Sequence, residues 1–179
     1  MTVNTDSSNY GDIATSDSAL SITDYNFTVG TVNNGHSIPF DILITATEDT
    51  WTGSFSLMVY APVISQETFA IDDATTGNNS GKWDAAEQVK LLFGVKNSGG
   101  ELAKNVNINI TTTTSGITID DGSAIFGDID TSATVTNTTD DLLATSSASI
   151  PTGTAVTIDY TISGDNFTDV TGSVNTIVG

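Results

Sequence analysis

The chain has no cysteine and no arginine, a single histidine, three prolines and only four lysines. Without cysteine there is no disulfide framework, no thiol nucleophile and no thiolate metal site, and the redox compartment is left open. Without arginine, and with 22 acidic residues giving a net charge of -18, the surface repels phosphate. Nucleic acid and membrane are therefore excluded as partners. No apolar run approaches the roughly 20 residues of a helical span. Met1 leads into a polar stretch rather than a basic and then apolar leader, so no signal peptide is expected. A Ser-His-Asp triad would have to be built on His36, which lies beside the turn Asn33-Asn34-Gly35 and reads as an exposed loop residue. There is no phosphate-cradling glycine loop, so the expectation is a protein that is not an enzyme. A chance carboxylate pair of the glycosidase kind stays open.

What is present is threonine (31), serine (19), glycine (16) and asparagine (14), with Val, Ile and Leu spread in alternation. That composition and period favour strands and leave helix periodicity nearly absent. Strands are predicted near 8–13, 19–30, 37–47 and 53–63, then near 64–71, 88–96, 104–112, 117–119, 124–129, 133–144, 154–163 and 168–178. In one of these, Val106, Ile108 and Ile110 alternate with Asn105, Asn107 and Asn109, the pattern of a half-buried strand with an amide-rich outer face. Count and spacing point to an all-β fold, an immunoglobulin-like antiparallel β-sandwich.

A block recurs. Tyr10-Gly11-Asp12-Ile13-Ala14-Thr15-Ser16 returns as Phe126-Gly127-Asp128-Ile129-Asp130-Thr131-Ser132. The strand pattern after Gly35 (Ile38, Phe40, Ile42, Ile44) returns after Gly153 (Val156, Ile158, Tyr160, Ile162). The offsets of 116 and 118 residues suit sandwich domains in tandem rather than a solenoid. The expected organisation is a partial sandwich of about four strands over 1–62, matching the second half of a repeat, and a complete domain with a calcium-type loop over 63–179. Ala61-Pro62 marks the boundary.

The densest chemistry lies between Asp72 and Glu87. Asp72, Asp73, Asn78, Asn79, Asp84 and Glu87 offer carboxylate and amide oxygens, with Gly77 and Gly81 permitting sharp bends. Ca²⁺ takes six to eight such hard oxygens. The alternative is an Asx-rich solvated turn. The doublets Asp120-Asp121 and Asp140-Asp141 have few neighbouring ligands and read as turns.

This segment resembles the calcium loop of CARDB-like, gingipain-type adhesion-related β-sandwich repeats of secreted bacterial surface proteins. The matching residues are Asp72-Asp73, Gly77-Asn78 with Gly81, Asp84, Glu87, and Lys96-Asn97-Ser98-Gly99 followed by Asn105-Val106. Ala85-Ala86 stand where such repeats have Pro-Gly. The resemblance implies an extracellular or cell-surface location and a bound Ca²⁺.

Half a sandwich leaves sheet edges and an apolar face uncovered. Three solutions are open: the second domain folds back, a segment outside the chain fills the gap, or a neighbouring molecule adds a strand. The last would make a homo-oligomer or filament through strand exchange. The expected function is a structural module of a surface filament or adhesin, stiffened by calcium. The alternative is an accessory module of a secreted hydrolase or peptidase, a spacer or one that binds glycans through Trp51 or Tyr60. Five Asn-x-Ser/Thr sequons, at Asn26, Asn78, Asn109, Asn137 and Asn166, are about what composition yields by chance.

Overall fold

A computed structural model describes residues 1–179. The chain is all-β, with thirteen strands and no helix: β1 (Thr2–Thr5), β2 (Asn26–Thr28), β3 (His36–Thr45), β4 (Thr50–Val59), β5 (Ile64–Asp72), β6 (Gln88–Asn97), β7 (Ala103–Thr111), β8 (Ile117–Asp121), β9 (Ser123–Ile129), β10 (Thr134–Thr136), β11 (Leu142–Ser146), β12 (Thr154–Ser163) and β13 (Val170–Val178). All ladders between them are antiparallel. Two compact units result, Met1–Val32 and Asn33–Gly179. That division falls ahead of the 62–63 boundary expected from the sequence, while the sandwich itself starts at Ile64.

In the larger unit, residues from Ile64 onward form a β-sandwich. One sheet places β6 between β5 on one side and β10 and β11 on the other, with β8 beyond β11; the other runs β13-β12-β7-β9. The alternation in sequence dictates the packing. Val89, Leu91, Phe93 and Val95 of β6 point inward, as do Val106, Ile108 and Ile110 of β7 and Val156, Ile158 and Ile162 of β12, and all are buried. Tyr160 and Phe93 meet in a T-shaped arrangement, ring centroids 5.9 Å apart, and Phe93 in turn packs on Phe69 at 5.0 Å.

The expected single strand over 133–144 is broken into β10 and β11. Between them the side chain of Asn137, buried, takes the place of a strand: its Oδ1 accepts from Phe93 N at 2.7 Å and its Nδ2 donates to Leu91 O at 3.0 Å and Asp140 O at 3.3 Å. The β6 backbone is thus satisfied along an edge that would otherwise carry a gap.

Ahead of the sandwich, β3 and β4 form a hairpin with ten paired positions, His36↔Val59 to Thr45↔Thr50. Its geometry is that of β12–β13. Gly35 and Gly153 both have positive φ, 76° and 84°. His36 N donates to Asn33 O at 3.2 Å as Thr154 N donates to Pro151 O at 3.1 Å, and Gly35 N reaches Val59 O as Gly153 N reaches Val178 O. Even the glycine inside the second strand repeats, Ile42↔Gly53 answering Tyr160↔Gly172.

The smaller unit repeats the sandwich too. The pairs Thr2↔Thr28, Val3↔Phe27 and Thr5↔Asn26 of β1–β2 correspond to Thr118↔Thr145, Ile119↔Ala144 and Asp121↔Leu143 of β8–β11, with the irregularity in the same place. Gly11 (φ 71°) and Ser16 (φ 65°) match Gly127 (74°) and Ser132 (63°), and Asp17 N to Ala14 O matches Ala133 N to Asp130 O. The strands expected over 8–13 and 19–30 are not formed, apart from β2. The reason is visible in the second copy, where β9 is a strand by virtue of its ladder with β7. Residues 1–62 contain no counterpart of β5, β6 or β7.

Candidate functional site

The acidic loop joins β5 to β6 and closes one end of the sandwich. Its anchor is Trp83, which is buried, donates from Nε1 to Glu87 O at 3.1 Å, and bridges Val178 of β13. Gly179 N donates to Trp83 O at 2.8 Å. From the β11 side, Ser146 Oγ donates to Asp84 O at 2.6 Å and accepts from Glu87 N at 3.2 Å. The loop therefore holds β6, β11 and the last strand together.

Two carboxylates organise its interior, Asp73 and Glu87, both buried. Glu87 accepts from Asn78 N through Oε1 at 2.6 Å and from Asp84 N through Oε2 at 2.8 Å. Asp73 Oδ2 accepts from Gly81 N at 2.9 Å, and its carbonyl accepts from Gly77 N at 2.9 Å. A side chain at Gly77 would collide with the Glu87 carboxylate and with Asp73 O. Asp84, half-buried, accepts from Asn78 Nδ2 and Ser80 Oγ, both at 2.9 Å. These two bonds hold its carboxyl below the ordinary carboxylate range, and the neighbouring Lys82 charge acts in the same direction.

Of the six expected ligands, the fold brings Asp73, Asn78, Asp84 and Glu87 into one hydrogen-bonded network. Asp72 turns away to cap Ala74 N at 2.8 Å, and Asn79 enters through its backbone, at φ 58°. The donor set has the hard-oxygen chemistry of Ca²⁺, yet no three acidic or histidine side chains converge on one point. Every buried side-chain oxygen and nitrogen already has a partner. The arrangement is that of a latch in which backbone N–H groups of the loop donate to its own carboxylates. Ser80 and Ser146, essential to this network, carry no distinguishing pattern in the sequence; only their place in the fold reveals them.

A second constellation joins the hairpin to the sandwich. Asn34 Oδ1 accepts from Ala61 N and Gly100 N, both at 3.1 Å, so the turn before β3 is tied to the turn after β6. Asn97, fully buried, accepts from Val63 N at 3.1 Å and Gly99 N at 3.0 Å while donating to Glu101 O and Ile129 O. A Cβ at Gly99 would strike the backbone of Ala61, Pro62 and Val63, and one at Gly100 would strike the ring of Tyr60. The run Lys96-Asn97-Ser98-Gly99-Gly100, legible as a turn, is thus a seat for the connecting segment.

The remaining candidates are scattered. His36 is exposed at the start of β3, and Trp51 and Tyr60 are exposed on and after β4. Asp121 caps Ser123 N, Asp140 accepts from Ile125 N, and Asp141 pairs with Lys90 at 2.7 Å, which are turn and surface roles. No family model matches the chain, and no curated protein matches it either.

Proposed function

We propose that this chain is a non-enzymatic segment of an extracellular structural protein, of the surface-filament or adhesin kind, built from tandem immunoglobulin-like sandwich repeats that are closed by strand complementation. One observation carries this reading: β1–β2 and β3–β4 reproduce the pairing of β8–β11 and β12–β13 position by position, down to a shared irregularity and a shared glycine. Two copies of one half-fold in one chain are what a tandem array requires. The joint adds to it, since Asn34, Asn97, Gly99 and Gly100 fix the connection by hydrogen bonds and close backbone contact where a flexible linker would have none. Strong acidity with almost no cations suits a solvated, repeated surface exposed to salt.

The test is protease treatment of intact source cells followed by mass spectrometry of the released peptides. Peptides of this chain are expected in the released fraction before lysis. Recovery only after lysis would overturn the extracellular assignment.

A further inference from the structure

The hairpin β3–β4 presents one apolar face. Ile42, Ile44, Trp51, Phe55 and Leu57 lie on it, and Ile44, Trp51 and Phe55 are 53%, 48% and 46% exposed. The equivalent face of β12–β13 carries Ile158, Ile162 and Val174, of which the first two are 0% exposed. What covers that face is known from the same molecule. The edge of β12 from Asp159 to Ser163 pairs with Thr111 to Asn107 of β7, and the β6 residues Leu91 and Phe93 belong to the core cluster it joins. On β3 the corresponding edge, Asp41 to Thr45, belongs to a two-stranded sheet and has no ladder on its far side.

We propose that this face of β3–β4 docks a three-strand half-repeat of the β5–β6–β7 type, lying outside residues 1–179, and that its β7-like strand pairs antiparallel with Asp41–Thr45. The proposal rests on the tandem-repeat reading above and names the partner. A second copy of the same chain does not supply that partner. Each chain holds one three-strand half, Ile64–Thr111, against two halves that need one, and its own is already engaged with β9, β10, β11 and β12. Lending it to a neighbour would close one sandwich by opening another, so identical chains always leave one apolar face uncovered. An alternating strand with Val, Ile and Ile inward and amides outward, as in Val106, Ile108 and Ile110, is the chemistry that the face recognises.

The repeat fixes the design of the test, because Met1 corresponds to Ile117. An extended chain carries a second copy of residues 63–116 joined directly ahead of Met1, and hydrogen exchange is followed on the amides of Asp41–Thr45. Closure is expected to slow their exchange to the rate of Asp159–Ser163 in the original sandwich. Placing Asp at the added copy's position corresponding to Ile108 is expected to return the rates to those of the 179-residue chain. Unchanged exchange at Asp41–Thr45, with the original sandwich still protected, would overturn the proposal. So would protection of those amides in the unextended chain that rises with protein concentration, since a second copy would then be the occupant. Neither result bears on whether the chain is found at the cell surface, so failure here is separable from failure of the functional reading.

Discussion

Replacing Asn137 by Ala tests whether one amide side chain stands in for a strand. In the native fold Asn137 is 1% exposed and serves Phe93 N, Leu91 O and Asp140 O. The alanine variant leaves Phe93 N without a partner, in the gap of β6 between the β10 and β11 ladders, while Leu91 stays paired with Leu142 of β11. An unsatisfied buried group costs about 1–3 kcal/mol, and a water entering the vacated space recovers part of it while the lost amide bonds to Leu91 O and Asp140 O add to it, so the net loss is about 2 kcal/mol. For a sandwich of this size that is a fall in melting midpoint of roughly 7 °C. Urea unfolding followed by the emission of Trp83, which is buried while Trp51 is exposed, isolates the sandwich. Asn137→Asp keeps the acceptor for Phe93 N but turns a second oxygen toward two carbonyls, and is expected to be no more stable than the alanine variant at neutral pH. A loss below about 1 kcal/mol for Asn137→Ala with an unchanged urea slope, or native stability for Asn137→Asp, would refute the reasoning.

The other expectations concern the latch and the joint. Asp84 has its folded-state pKa depressed by the bonds from Asn78 and Ser80, so its contribution is present above the unfolded carboxylate value of about 3.9 and is lost as pH falls through the lower folded value. An NMR titration of the Asn78 side-chain amide should therefore hold steady down to about pH 4 and move only below it, and Asp84→Asn should abolish that movement; a transition near pH 6 would contradict the assignment. Because the carboxylates of Asp73, Asp84 and Glu87 are taken by donors of their own loop, the thermal midpoint is expected to be the same in calcium and in chelator. A midpoint that climbs and follows the logarithm of calcium concentration would show the carboxylates leaving those donors for an ion. At the joint, Gly99→Ala would push the added methyl into the backbone of Ala61–Val63, so limited proteolysis there should accelerate while the unfolding free energy of the sandwich changes by less than about 1 kcal/mol. Unaltered cleavage would mean that the connecting segment is not seated on that turn.

Sequence alone determined the β class, because the alternation of Val106, Ile108 and Ile110 with asparagines, and of Ile38, Phe40, Ile42 and Ile44 with polar residues, permits one periodic structure and no other. It also disclosed the repeat, since positive-φ turns need glycine or a small polar residue at fixed positions and Gly11, Gly35, Gly127 and Gly153 mark them. Side-chain type could nominate Asp73, Asp84 and Glu87 as a group; whether their oxygens face an ion or a backbone amide depends on how Trp83 and Ser146 pin the loop across the sandwich. Which periodic segments become strands was decided only in three dimensions. Residues 7–13 and Ser123–Ile129 share a pattern and a turn geometry, yet only the second forms a ladder, because a strand is stabilised by hydrogen bonds to a neighbour and β7 is beside one copy and not the other.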